Sequence, residues 1–332
     1  MRSAAYIHAI DRVNEMGYRA LICLVLFLLI QACEKQPPPP IKIAINPWPG
    51  YEFLYLAKEK GFFQQVGLNI QLLQLVSLAD AQRAYTKGQV DGLTSTIIEA
   101  VQAQPMGGKP LKIVLVSDYS NGGDVIIASS PVTDVTHLKG KVVGAEITSL
   151  GIYVLERALK KVGLSLSDVS LVNIEQSQGE QALLDGRIDA FVTYPPVSVA
   201  ILRNKQYQKI FGSDEIPKEV IDIVSLSQEV IERHPDLVDK LRKAWQMSLE
   251  YAQTHKKEAH QLMAQREGIS IEEFDGILED LIILSSEEQQ ELFDSADVLQ
   301  RAVVSVCETM VYVRSIEADC DHYPDIIYRS NK

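Results

Sequence analysis

The sequence has little of what most enzymes need. It holds six histidines: His8 stands near the N-terminus, and His137, His234, His255, His260 and His322 are scattered along the rest. No zinc-ligand spacing, phosphate-binding loop or Ser-His-Asp arrangement is visible, so neither a metal nor a cofactor is expected. Long apolar runs are missing too. Ala20 to Ile30 is the strongest candidate and is only about half of what a bilayer requires. Positive charge is in deficit, with 32 Lys and Arg against 44 Asp and Glu and a net charge of −12, to which residues 1–32 contribute +1. An acidic surface of this kind argues against a nucleic-acid partner.

What the N-terminus does carry is an address. Arg19, the apolar run and Leu29-Ile30-Gln31-Ala32-Cys33 combine a basic flank, a short hydrophobic stretch and a small residue before a cysteine, the pattern of an export signal of the lipoprotein type. Residues 1–32 are therefore expected to be a signal peptide, with translation starting at Met16, because Asp11 and Glu15 dilute the positive flank. Cys33 is the expected lipidation site, since a thiol at the new N-terminus is the nucleophile that processing alkylates. A single-span anchor is the alternative; in both cases the body faces outward. Residues 33–40 end in Pro37 to Pro40, a stiff tether of polyproline type. Of the four cysteines, Cys307 and Cys320 remain in the folded body. An oxidising compartment permits a disulfide between them, and two free buried thiols fit the spacing equally well.

From Ile41 the chain alternates strand and helix. Ile41 to Ile45 reads as a strand, Tyr51 to Phe63 as a helix stopped by Gly61, Leu68 to Leu75 as a strand, Ala79 to Lys87 as a helix, and Val90 to Leu93 as a strand. The pattern then recurs. Lys141 to Ala145 is a strand, Leu150 to Val162 a helix, and Asp185-Gly186-Arg187-Ile188-Asp189-Ala190-Phe191 echoes Lys87-Gly88-Gln89-Val90-Asp91-Gly92-Leu93. The first strand precedes its glycine by 47 residues in one copy and 45 in the other. Two lobes of one design follow, each a mostly parallel sheet wrapped by helices in an α/β fold. Asp91 and Asp189 are turn residues on this reading, not ligands. Leu111 to Ser117 and Asp124 to Ser129 look like strands that cross between the lobes, Val220 to Ser225 like the return, and the text beyond Gln228 like helices packing on the first lobe, with Trp245 in the core.

Ligands of open α/β sheets sit beyond the carboxyl ends of the strands. The loops there offer Trp48, Gly50 and Tyr51, then Thr94, Ser95 and Thr96, then Asp118, Tyr119, Ser120, Gly123 and Asp124, then Ser149 and Gly151, and finally Tyr194. These loops contain no Arg or Lys. An acid group could still rest on the amides of Ser149-Leu150-Gly151, but aromatic rings beside carboxylates suit a ring with N–H donors or an amine. A heterocycle or zwitterion is thus favoured over a sulfonate. Glu52 is read more simply as a first-turn residue at a helix N-terminus, and Asp124 equally as a turn residue.

Pro47-Trp48-Pro49-Gly50-Tyr51-Glu52, Leu54 to Ala57, Gly61-Phe62-Phe63, Ser120 to Asp124, Leu138 to Lys141, Asp189 to Tyr194 and Phe211 to Pro217 together resemble a known family. It is the nitrate, sulfonate, taurine and thiamine-precursor branch of ABC-importer binding proteins. The resemblance implies a two-lobed periplasmic-binding-protein fold (type II). Its lobes would be 41–124 with 222–332, and 125–221, and the ligand would lie in the cleft. It also implies ABC permease subunits as partners. The lipid on Cys33 would attach the chain to the membrane, and with no oligomer signal visible a monomer is the default expectation. Tyr194-Pro195-Pro196 departs from relatives that carry an acidic residue after the aromatic, so no contact is transferred there. A ligand sensor for a membrane signalling protein has the same cleft chemistry. Cytosolic relatives that synthesise the thiamine pyrimidine depend on a cysteine-rich segment that is not found in this sequence.

Overall fold

The computed structural model describes residues 39–329 except Ala296. The expected signal peptide, Cys33 and most of the tether lie outside these residues. Among the described residues, no helix is long and apolar enough to cross a membrane.

The described residues form eleven strands in two sheets. The first combines β1 (Ile41–Ile45), β2 (Ile70–Gln74), β3 (Gly92–Thr96), β4 (Leu111–Ser120), β10 (Ile221–Ser227) and β11 (Leu281–Ile283) in the order β11-β4-β10-β3-β1-β2. The second combines β5 (Val125–Ser129), β6 (Val142–Ala145), β7 (Ser170–Asn173), β8 (Ala190–Thr193) and β9 (Tyr207–Gly212) in the order β7-β6-β8-β5-β9. The chain passes from one sheet to the other between β4 and β5 and returns between β9 and β10.

The expectation of mostly parallel sheets is corrected. Each sheet has a parallel half, β2-β1-β3 and β7-β6-β8, but every pairing of β4, β5, β9, β10 and β11 is antiparallel. Parallel neighbours need a crossover helix within one sheet. β5 and β10 instead arrive from the other sheet and enter against the local direction.

The repeat has a physical basis. Gly88 and Gly186 both adopt positive φ, at 67° and 65°, so each closes a helix in the left-handed region where a side chain is disfavoured. Three residues later, Asp91 accepts a hydrogen bond from the Lys42 amide at 2.9 Å and Asp189 one from the Val142 amide at 2.8 Å. Both aspartates pin the start of a central strand, a structural role in each copy.

C-terminal to β10, helices run from Gln228 to Leu278 and from Ser286 to Tyr312. The helix Leu237–Thr254 packs against Glu52–Glu59, and Trp245 lies in the core, 5.5 Å from the Phe53 ring. The helical reading of this region missed β11, three residues that pair with Asp118 to Ser120 of β4. Cys307 and Cys320 form a disulfide with Cα atoms 5.7 Å apart.

Candidate functional site

The carboxyl ends of β1, β3 and β4 lie together at one edge of the first sheet, and the antiparallel β10 begins there. Across this edge, Asp222 pairs with Thr96 on one side and with Asp118 on the other. Two aspartates directly opposite on neighbouring strands repel each other, and the strand geometry alone gives no reason for the arrangement. At the matching edge of the second sheet, Asp124 precedes β5, Glu146 follows β6 and Tyr194 follows β8.

Residues of the two edges meet. The Trp48 indole lies edge-on to Tyr194, with ring centroids 6.2 Å apart, and is tilted against Tyr51 at 6.4 Å. Its N–H is shared between both carboxylate oxygens of Asp118 at 3.3 Å. The Tyr51 hydroxyl donates to Asp222, and the Tyr194 hydroxyl accepts from the Leu78 amide at 3.1 Å. Gly50 and Gly123 leave room for this packing: a Cβ on Gly50 would stand 1.9 Å from Asp118 Oδ2, and one on Gly123 2.8 Å from Trp48 Cη2. The cluster is shut off from solvent, with Trp48 3% and Tyr194 5% exposed.

Burial dominates the electrostatics. It pushes the Asp118 and Asp124 carboxyls up to about 7; hydrogen bonds, including the one from Trp48, partly offset this for Asp118, and the Asp118 charge adds to it for Asp124. Asp222 rises well above the ordinary carboxylate range through burial and then the charges of Asp118 and Asp124. Glu146 is pushed to about 7 by burial. The phenols of Tyr51 and Tyr194 are raised by burial first and by neighbouring carboxylates second. One oxygen each of Asp124, Asp222 and Glu146 is buried without a hydrogen-bond partner. Such atoms are costly in a native protein and mark places where a donor is missing.

Several expected site residues have other roles. Thr94, Ser95 and Thr96 are not a loop: β3 runs through them directly into the helix Ile97–Ala103, which Thr96 caps together with Glu99. Tyr119 lies outside the cluster. Strand alternation turns it to the opposite face of β4, where it borders a cavity of about 410 Å³ with Lys218 and Leu292. Ser120 belongs to the crossover, its hydroxyl 2.7 Å from that of Ser213 and 3.2 Å from the Asp124 amide. Ser149 and Gly151 do not present a free anion site. Glu99 reaches over from the first sheet's helix, accepting from the Ser149 hydroxyl at 2.6 Å and the Leu150 amide at 2.8 Å. A Cβ on Gly151 would stand 2.9 Å from the Glu146 carbonyl oxygen, so this glycine serves close packing. Glu52 is fully buried and ion-paired with Arg266, beside Glu267, under the Trp48 loop.

Sequence reasoning missed Glu99, Glu146 and Asp222. Thr96-x-x-Glu99 is a capping-box signature and Glu146 directly follows a strand, so both carried a signal. Asp222 carried none, because its role depends on which strand lies beside it.

Residues 48–259 match the family described as NMT1/THI5 like. A Haemophilus influenzae protein named for thiamine biosynthesis is 30% identical over 146 residues, 43% of this chain and 46% of that protein. The 4-amino-5-hydroxymethyl-2-methylpyrimidine phosphate synthase of Aspergillus parasiticus is 26% identical over 176 residues, 53% of this chain and 49% of the enzyme. The matched stretch thus spans about half the length of these curated relatives. Among solved structures, the alkanesulfonate-binding protein of Xanthomonas axonopodis pv. citri bound to MOPS superposes with a TM-score of 0.72 at 17% identity, covering 85% of this chain and 96% of that one. The periplasmic aliphatic sulphonate binding protein of Escherichia coli gives 0.69 at 17%, covering 87% and 96%. These structures share the fold.

Proposed function

This chain belongs to the NMT1/THI5 like family, and from that premise we propose that it is the extracytoplasmic solute-binding component of an ABC importer. On this reading residues 1–32 are removed, Cys33 carries the lipid and 33–40 form the tether. Lobes 41–124 with 222–332, and 125–221, close over a small polar molecule. The observation that carries the proposal is the convergence of both sheet edges on one buried cluster: Trp48, Tyr51, Asp118 and Asp222 from the first, Asp124, Glu146 and Tyr194 from the second. A ligand that touches both edges favours the closed form by its differential affinity for it, and a membrane partner can read that shape. Rings beside carboxylates favour a heterocycle or an amine-bearing molecule over a sulfonate.

The relatives named as pyrimidine phosphate synthases support a second reading, an enzyme of thiamine-pyrimidine synthesis. The cluster contains no histidine or cysteine to act on a substrate, and Cys307 and Cys320 are joined to each other, which favours capture over conversion.

Spin labels at the exposed positions Lys87→Cys and Lys205→Cys, one beside each sheet, test the proposal in the detergent-solubilised full chain. A ligand found by thermal shift is expected to shorten and narrow the inter-label distance and to be recovered unchanged by mass spectrometry. An unaltered distance with a proven ligand rejects closure, and a chemically altered ligand moves the assignment to the enzyme.

A further inference from the structure

The cluster has a charge problem that nothing within it solves. Asp118, Asp124 and Asp222 are each at least 98% buried, and the neighbouring charges that act on Asp124 and Asp222 come from other carboxylates. Trp48 satisfies Asp118 and Tyr51 satisfies one oxygen of Asp222. The second oxygens of Asp124 and Asp222 have no donor. Burying carboxylates without partners costs a folded protein several kcal/mol, and groups kept at that cost are typical of places built for a ligand.

Three features narrow what the ligand is. First, among the described residues, no group of three or more His, Cys, Asp or Glu side chains is placed to hold a metal ion, so a bare divalent cation does not match the spacing. Second, the helix N-terminus at Ser149-Leu150, which would receive a ligand's acid group, is already filled by the Glu99 carboxylate. A zwitterion or a sulfonate finds no counterpart there. Third, Trp48, Tyr51 and Tyr194 surround the carboxylates with ring surface, the environment that stabilises an organic cation.

Resting on the cleft reading above, we infer that the ligand is a small organic cation carrying at least two N–H donors, received by Asp124 and Asp222 against the rings of Trp48, Tyr51 and Tyr194. Glu99 is the residue that sets this specificity, acting as a tethered anion that keeps ligand anions out. The protons that the cluster holds when empty are displaced as the cation binds, so affinity rises with pH.

The experiment has two arms, both on the full chain. In the first, melting temperature is followed with benzamidine, benzylamine, tetramethylammonium, benzamide and benzenesulfonate at saturating millimolar concentration. Benzamidine and benzylamine are expected to stabilise the protein, tetramethylammonium weakly and the other two not at all. Asp222→Asn is expected to weaken benzamidine by roughly tenfold to a hundredfold. Stabilisation by benzamide or benzenesulfonate that disappears in Trp48→Ala overturns the cation while leaving the cleft in place. A benzamidine effect that survives both Trp48→Ala and Asp222→Asn puts the ligand elsewhere and overturns the cleft reading itself. Silence towards both amine-type cations overturns the inference. The second arm needs no ligand: Asp124→Asn and Asp222→Asn are each expected to raise the melting temperature of the empty protein at pH 8, because a buried carboxyl there must either carry an unpaired charge or hold a proton that the unfolded chain does not bind. A fall in both shows that these carboxylates are partners in the fold, and the inference is wrong.

Discussion

The backbone N–H of Leu150 donates to the carboxylate of Glu99 at 2.8 Å, so a helix on the second sheet is capped by a residue from a helix on the first. The other oxygen of Glu99 accepts from the Thr96 amide at 2.9 Å and the Thr96 hydroxyl at 2.6 Å. One side chain therefore closes the first turn of its own helix and of its neighbour's.

Replacing that carboxylate separates the two roles. Glu99→Gln keeps the size but puts an NH2 group where one set of donors points, and charge-assisted bonds of this kind contribute about 1.5–3 kcal/mol. The expected result is a lower melting temperature and a longer, broader distance between the labels at positions 87 and 205 in the empty protein. An unchanged distance distribution shows that Glu99 caps the helix without holding the lobes.

The buried carboxylates give stability a pH dependence of definite sign. Asp118, Asp124 and Glu146 are raised to about 7 in the folded chain, while in the unfolded chain they titrate near 4. Between those values the folded state binds more protons than the unfolded one, so stability falls as pH rises through this window and levels off above it. The urea midpoint is expected to be higher at pH 5 than at pH 8, by the equivalent of a few kcal/mol. A midpoint that rises over the same interval contradicts the burial of these groups in their charged form.

Much of the fold is legible in the sequence because periodicity and turn chemistry are local. Gly88 and Gly186 mark the repeat through their left-handed conformation, and Ile41–Ile45 shows its alternation in five residues. The antiparallel entry of β5 and β10 is not legible, since strand direction is set by which sheet a segment joins. The same limit applies to the site. Trp48, Tyr51 and Tyr194 are visible as residues that follow strands, and Asp118 and Asp124 as part of the polar stretch before the crossover, although β4 runs on through Asp118; Asp222 matters only because β10 lies between β3 and β4. Tyr119 misled because one residue along a strand reverses the face.

Gly50 and Gly123 permit the contact between Trp48 and Asp118, and alanine at either place tests it. A methyl on Gly50 overlaps Asp118 Oδ2, and one on Gly123 presses on the indole ring. Either substitution forces Trp48 and Asp118 apart, with an overpacking cost of roughly 1–3 kcal/mol. Intrinsic fluorescence reads the outcome directly, because the sequence has two tryptophans and Trp245 lies elsewhere in the core. A shifted emission maximum with weakened ligand response is expected. Unchanged emission together with wild-type ligand response shows that the indole sits elsewhere in solution.

The disulfide ties the segment that follows the helix Asp297–Tyr312 back onto that helix. Cys307 and Cys320 are 13 residues apart, and beyond them the tail runs beside β4: the Ile113 amide donates to Ile326 and the Tyr328 amide to Ile113, at 2.6 and 3.0 Å. The Tyr323 hydroxyl also donates to the Val101 carbonyl. Closing a loop of that length stabilises by about 3 kcal/mol on chain entropy. Cys320→Ser is expected to lose about 2–4 kcal/mol and to speed hydrogen exchange at Ile113 and Tyr328 well before the amides of β5 and β8. β4 also carries Asp118, so a freed tail loosens the strand that positions the carboxylate under Trp48, and ligand affinity falls along with stability. If exchange at Ile113 is unaltered in the variant, side-chain packing alone holds the tail, and the link to the cleft is absent.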